Sequence, residues 1–88
     1  MGSYKLAWFP SVEKDFKRID KQYIANIRQE IKELKNSPYP HGCRKLSGTH
    51  QTYRIRIGDY RVIYQINENQ KEICIEKVKH RKKVYRKL

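Results

Sequence analysis

The stretch TYRIRIGDYRVIYQI, residues 52–66, decides the fold because it predicts a β-hairpin whose turn fixes the pairing of two strands. Gly58 and Asp59 separate two runs rich in β-branched and aromatic residues. Glycine at the first central position favours a two-residue type II′ turn. This turn places Arg56 directly opposite Arg61. The same register pairs Ile57 with Tyr60, Ile55 with Val62, Arg54 with Ile63 and Tyr53 with Tyr64.

Side-chain alternation divides this hairpin into a cationic face and an apolar face. Arg54, Arg56 and Arg61 share one face, since successive residues of a strand point to opposite sides. Opposed like charges destabilise a sheet by a few tenths to about 1 kcal/mol, whereas guanidinium groups match phosphate oxygens well. The arginines therefore predict an anion site; the alternatives are ordinary exposed arginines or pairing of one with Glu76. The apolar face, predicted to pack on helices, carries Tyr53, Ile55, Ile57, Tyr60, Val62 and Tyr64.

The rest of the chain predicts an α+β fold around the hairpin. Residues 4–9 predict a strand ended by Pro10, and apolar residues at helical spacing predict two helices that form an α-hairpin. Ser11 is the expected cap of the first helix and Asp20 of the second, which continues to about residue 36. Residues 37–51 contain prolines and glycines and predict a loop. Strands at 52–57, 60–67 and 72–78 predict a three-strand antiparallel meander completing a small sheet, followed by a short basic helical segment at the C-terminus.

Composition limits the class of protein and the kind of partner. The chain has 88 residues, enough for a single domain spanning residues 1–88 around one core. A formal charge of +12 predicts a polyanionic partner such as RNA, DNA or an acidic protein. No run is long and apolar enough to span a membrane, and no secretory signal is visible. Two widely separated cysteines predict neither a disulfide framework nor a zinc site and favour a reducing cytoplasm.

An arginine cluster has a defined use in RNA chemistry. An RNA strand is cleaved when a 2′-hydroxyl attacks its own adjacent phosphate, which requires stabilisation of phosphorane charge, a base and an acid. Arginines supply the charge but are not normally deprotonated in proteins. The histidines that remain for proton transfer are His80, favoured by its position near Arg81 and Tyr85, and the loop residues His41 and His50. No paired-carboxylate, nucleophile, phosphate-loop or metal-ligand motif appears, so no metal or other cofactor is expected.

Two segments resemble the RelE/ParE superfamily of bacterial and archaeal toxins, and its RelE-like branch in particular. They are LSGTHQTYRIRIGDYRVIYQI, residues 46–66, and VKHRKKVYRKL, residues 78–88. The resemblance extends over essentially the whole chain and implies a toxin of a type II toxin–antitoxin system. RelE-like members are ribosome-dependent endoribonucleases that cut messenger RNA in the ribosomal A site. Carried over by position, their basic site residues fall on Arg54, Arg56, Arg61 and Arg81, and their tyrosine falls on Tyr85.

The resemblance implies a role for each of these residues. Arg61 and Arg54 would stabilise the transition-state charge, and Arg56 would hold a substrate phosphate. Arginine stands at positions 54 and 56 where the family pattern has lysine, which leaves the general base open and favours His80 or Tyr85 for proton transfer. Tyr85 would also stack on a base, and Arg81 would assist the leaving oxygen. Further basic residues expected to contact substrate are Arg44, Lys45, Lys79 and Lys82.

Family membership also implies partners and leaves alternative activities open. The expected partners are messenger RNA on the 30S ribosomal subunit and a cognate antitoxin with an acidic segment, without a membrane. One alternative is a ParE-like inhibitor of DNA gyrase. Others are a non-catalytic RNA-binding module and an inactive family member. The complete arginine and tyrosine set favours the nuclease.

Overall fold

The computed structural model describes residues 3–46, 48 and 51–80, which form a five-stranded mixed sheet with two helices on one face. The strand order is β1-β5-β4-β3-β2; β1 runs parallel to β5, and the other neighbours are antiparallel. The α+β class, the α-hairpin and the meander are as predicted, while the predicted C-terminal helical segment lies outside the described residues. The elements are β1 (Lys5–Trp8), α1 (Ser11–Lys17), α2 (Lys21–Glu33), β2 (Arg44–Lys45), β3 (Thr52–Ile57), β4 (Tyr60–Asn67) and β5 (Glu72–His80).

The hairpin of β3 and β4 has the predicted register throughout. Ile57 pairs with Tyr60 and Arg56 with Arg61. Gly58 has a φ of +59°, in the left-handed region that glycine enters without steric cost, as the first central position of a type II′ turn requires. The local turn chemistry therefore positions the arginines before any contact with the helices is considered.

The core lies between the helices and the apolar face of the sheet. On α2, Ile27 and Ile31 are one turn apart and both are fully buried, so they present one apolar side to the strands. The predicted apolar face of the hairpin is buried except for Tyr53, which is partly buried against the same core. The open face of the sheet, defined here as the face turned away from the helices, carries Arg54, Arg56 and Arg61.

Several local predictions need correction. Ser11 is the first residue of α1 and makes no capping hydrogen bond; Pro10 occupies the cap position. Asp20 does cap α2, its Oδ1 accepting a hydrogen bond from the backbone N–H of Gln22 at 3.2 Å. The predicted loop contains the two-residue strand β2, because Arg44 and Lys45 pair with β3. The last strand continues two residues further than predicted, to His80.

Candidate nucleic-acid interface

Basic residues occupy two neighbouring rows across the open face. Arg56 of β3 lies beside Arg61 of β4, and Arg61 lies beside Lys79 of β5. One step along the strands, Arg44 of β2 lies beside Arg54 of β3. Neighbouring strands are about 4.8 Å apart, and two residues along a strand span about 7 Å. We call Arg44, Arg54, Arg56 and Arg61 the arginine face.

The arginine face concentrates positive charge at one end of the sheet. Arg44 and Arg56 are exposed, whereas Arg54 and Arg61 are partly buried. Glu76, the acidic residue considered as a partner for one of them, accepts a hydrogen bond from the Gln65 side chain. Arginine pairs opposed in this way are unfavourable in an isolated sheet and favourable around a bound polyanion.

Lys79 belongs to the same row, but its ammonium group is held at the sheet edge. Its Nζ lies 2.8 Å from Oδ1 of Asp15 on α1. The second carboxylate oxygen of Asp15 accepts the backbone N–H of Val78 at 3.0 Å, and Asp15 is nearly fully buried. Lys79, expected from the sequence to contact substrate, therefore joins α1 to β5 in this structure.

The structure separates His80 and Lys45 from the arginine face. His80 is the strand partner of the buried Tyr60, and the two rings meet edge to face with centroids 5.1 Å apart. The imidazole of His80 therefore lies on the helix side of the sheet, whereas the side chain of Arg61 lies on the open face. Lys45 pairs with Tyr53, whose side chain is also on the helix side. Neither residue is brought together with the arginines.

A cleft opens at the edge of the sheet where β2 is too short to cover β3. We call it the edge cleft; its volume is about 340 Å³, and it is lined by Glu30 of α2, residues 40–42, Arg44 and residues 54–56. His41 thus shares a cavity with arginines of the site, although the sequence favoured His80. No local pattern links His41 with Glu30, because only the pairing of β2 with β3 brings the loop and α2 together.

Four residues considered from the sequence lie outside the described residues: His50, Arg81, Lys82 and Tyr85. In the part of the chain that the structure describes, no group of three or more His, Cys, Asp or Glu side chains is arranged to hold a metal ion. Within the same part, no helix is long and apolar enough to cross a membrane.

Comparison with known proteins identifies the family. Residues 6–85 match the family model described as the ParE toxin of type II toxin–antitoxin system, parDE. The chain belongs to the RelE/ParE toxin superfamily. Among curated relatives, the putative toxin RelE1 of Methanocaldococcus jannaschii is 31% identical over 78 residues, covering 85% of this chain and 87% of that protein. Toxin RelE3 of the same organism is also 31% identical, over 85 residues that cover 92% of this chain and 94% of the relative.

Solved structures place this toxin in the RelE-like branch. This chain is similar to a chain of the archaeal RelE–RelB complex from Pyrococcus horikoshii. The two are 33% identical, with a TM-score of 0.79, and the match covers 90% of this chain and 96% of that chain. The RelB–RelE antitoxin–toxin complex of Methanococcus jannaschii gives 28% identity and a TM-score of 0.77, covering 93% and 98%. The isolated Escherichia coli RelE toxin, at 20% identity and a TM-score of 0.76, shares the fold. The superfamily and branch suggested by the two sequence segments are thereby confirmed.

Proposed function

We propose that this toxin is a metal-independent endoribonuclease that cuts messenger RNA in the ribosomal A site. The observation that carries the proposal is the arginine face, where Arg56 opposes Arg61 and Arg44 opposes Arg54. Opposed arginines lower the stability of the sheet, so the sheet itself gives no reason for their placement. Four guanidinium groups on one small area are well suited to bind successive phosphates of a single RNA strand.

The chemistry follows from what arginine can and cannot do. Attack of a 2′-hydroxyl on the adjacent phosphate builds negative charge on the phosphorane oxygens, and preformed cations stabilise that charge. The proposal assigns this task to Arg61 and Arg54, and assigns a neighbouring substrate phosphate to Arg56. Arg81 would assist the leaving oxygen, and Tyr85 would stack on a base of the message. His80 receives no part in the arginine site because its ring lies on the helix side of the sheet.

The same proposal includes an antitoxin and a cellular location. The similar structures from Pyrococcus horikoshii and Methanococcus jannaschii are toxins bound to RelB. A chain of charge +12 fits a cognate antitoxin that brings an acidic segment. A substrate on the translating ribosome places the toxin in the cytoplasm.

Gyrase inhibition is the second candidate, because the matching family model is that of the ParE toxin. The fold alone does not separate the two activities. The arginine face favours the nuclease, since an inhibitor that only contacts a protein has no need of opposed arginines. A DNA supercoiling assay with purified gyrase gives the direct comparison.

The test is cleavage of a defined message in a translation extract, with new 5′ ends mapped by primer extension. We expect cuts within the coding sequence that require ribosomes and that fall by roughly 100-fold or more in Arg61→Ala, because a preorganised charge at the phosphate is lost. Arg18→Ala is the matched control, since it removes one arginine from the exposed end of α1. Equal cleavage by Arg61→Ala and wild type would overturn the assignment of Arg61. Absence of any cut, together with inhibition of supercoiling, would favour the ParE-like activity.

A further inference from the structure

We propose that His41 in the edge cleft is the catalytic base that takes the proton from the attacking 2′-hydroxyl. The inference rests on the proposed ribonuclease function and supplies the group that the arginines cannot provide. His41 lies in the loop before β2, outside the hairpin of β3 and β4, so the sequence of the hairpin gives no indication that it belongs to the site.

The edge cleft opens onto the same arginines that form the interface. In an antiparallel pair, alternate residues direct their backbone N–H and C=O to opposite neighbours. The carbonyl of Thr52 accepts the N–H of Leu46 at 2.9 Å, so residues 52, 54 and 56 direct their backbone groups away from β4. Arg56 therefore presents its backbone to the cleft and its guanidinium to the open face, so the edge cleft borders the arginine face on which we propose that the RNA strand binds.

The groups on the cleft wall leave one suitable base. Arginine stays protonated, so Arg44, Arg54 and Arg56 cannot accept a proton at neutral pH. Imidazole changes its charge in the physiological range and is the commonest general base in enzymes. Among the described residues that line the cleft, His41 is the imidazole, and Glu30 is the carboxylate that shares the cavity with it.

The step balances without an additional reactant other than water. His41 accepts the proton of the 2′-hydroxyl while O2′ forms a bond to phosphorus. The bond from phosphorus to O5′ breaks, and its electron pair stays on O5′, which takes a proton from water. The resulting hydroxide removes the proton from the imidazolium. The products are a 2′,3′-cyclic phosphate and a 5′-hydroxyl, and His41 is again neutral.

The experiment measures single-turnover cleavage on programmed ribosomes between pH 5.5 and 8.5. We expect His41→Gln to lower the rate by about 100-fold or more and to remove the rise of the rate with pH, while His80→Gln retains both. Added imidazole should raise the rate of His41→Ala, since the edge cleft is open and the deleted ring leaves room. The charged groups that share the cleft, Glu30 and the three arginines, remain in every variant.

The outcomes separate the two proposals. If Arg61→Ala abolishes cleavage but His41→Gln keeps the wild-type rate and pH profile, the role of His41 is wrong and the ribonuclease function stands. If Arg61→Ala and His41→Gln are both silent, the arginine site itself is wrong. Loss of the pH-dependent rise in His80→Gln would also overturn the assignment. Thermal unfolding of each variant checks the fold, and His41→Asn is the second substitution if His41→Gln is unstable.

Discussion

Asp15 is expected from the charged sequence around it to lie on the protein surface, but the structure buries its side chain. It lies on the first helix between Lys14 and Lys17, in a stretch that resembles a solvated helix face. In the fold it is buried and accepts the N–H of Val78 and the ammonium of Lys79. It thereby satisfies the edge of β5 beyond the point where β1 ends. A buried acid in this position is a structural element of the sheet.

Asp15→Ala should destabilise the protein by about 2–4 kcal/mol, because a buried N–H and a partly buried ammonium lose their acceptor. Asp15→Asn keeps an acceptor for Val78 and should cost less. Urea unfolding measures both, with Glu13→Ala on the exposed side of the same helix as the control. A loss below about 0.5 kcal/mol for Asp15→Ala, the range of ordinary surface substitutions, would contradict this role.

The arginine pair could be predicted from the sequence because a two-residue turn fixes its register locally. The positions of Lys79 and His80 could not. They depend on the pairing of β4 with β5, which contains an irregularity between Ile63 and Tyr64 that no glycine or proline marks. They depend also on where α1 meets the sheet edge. The sequence therefore predicts the orientation of side chains that a local hairpin turn fixes. It does not predict the orientation of side chains that depend on tertiary packing.

At the scale of elements, the turn at Gly58 carries the geometry of the site. Its φ of +59° is costly for residues with a branched Cβ, by roughly 1–2 kcal/mol. Gly58→Val should lower the free energy of unfolding by about that amount and also weaken cleavage, because Arg56 and Arg61 lose their fixed register. Gly58→Asn, a residue tolerated in such turns, should be milder on both.

Urea unfolding and the ribosome cleavage assay, performed on the same preparations, test this coupling. Unchanged cleavage by a folded but destabilised Gly58→Val would show that the register of the hairpin is not what positions the arginines.

The shortest element, β2, has a comparable effect on the site. β2 has only two residues in a segment rich in proline and glycine, and its pairing is decided by contacts with β3, so neither β2 nor the edge cleft could be predicted.

At the scale of the whole molecule, the two ends of the sheet have different tasks. The arginine face lies near the turn between β3 and β4. The turn between β4 and β5, at the other end of the strands, carries Glu68, whose carboxylate accepts hydrogen bonds from tyrosine hydroxyl groups far away in the sequence. Tyr4 donates to its Oε1 at 2.6 Å, and Tyr39 donates to its Oε2. Lys71 lies 3.8 Å from the same carboxylate. Glu68 thus joins the residue that precedes β1, the loop after α2 and the last hairpin.

These contacts make the stability of the fold depend on pH. The hydrogen bond from Tyr39, then that from Tyr4, and the charge of Lys71 hold the pKa of Glu68 below its ordinary value of 4.5. A carboxylate whose pKa is lower in the folded state contributes stability above its unfolded pKa, and this contribution is lost as the pH falls through the folded value. The Glu68 contribution should therefore be complete near neutral pH, should begin to fall as the pH drops through about 4.5, and should be lost only below the lower folded pKa.

Glu68→Gln should melt at a lower temperature than wild type at pH 7, and the difference in Tm should shrink steadily as the pH is lowered from 5 to 3. The reason is that protonated Glu68 resembles the neutral amide, so wild type approaches the variant once the carboxylate is titrated. Glu13→Gln, an exposed carboxylate on α1, should follow the wild-type curve throughout. A constant difference in Tm from pH 7 to pH 3 would mean that the tyrosines are held by shape and not by the charge of Glu68.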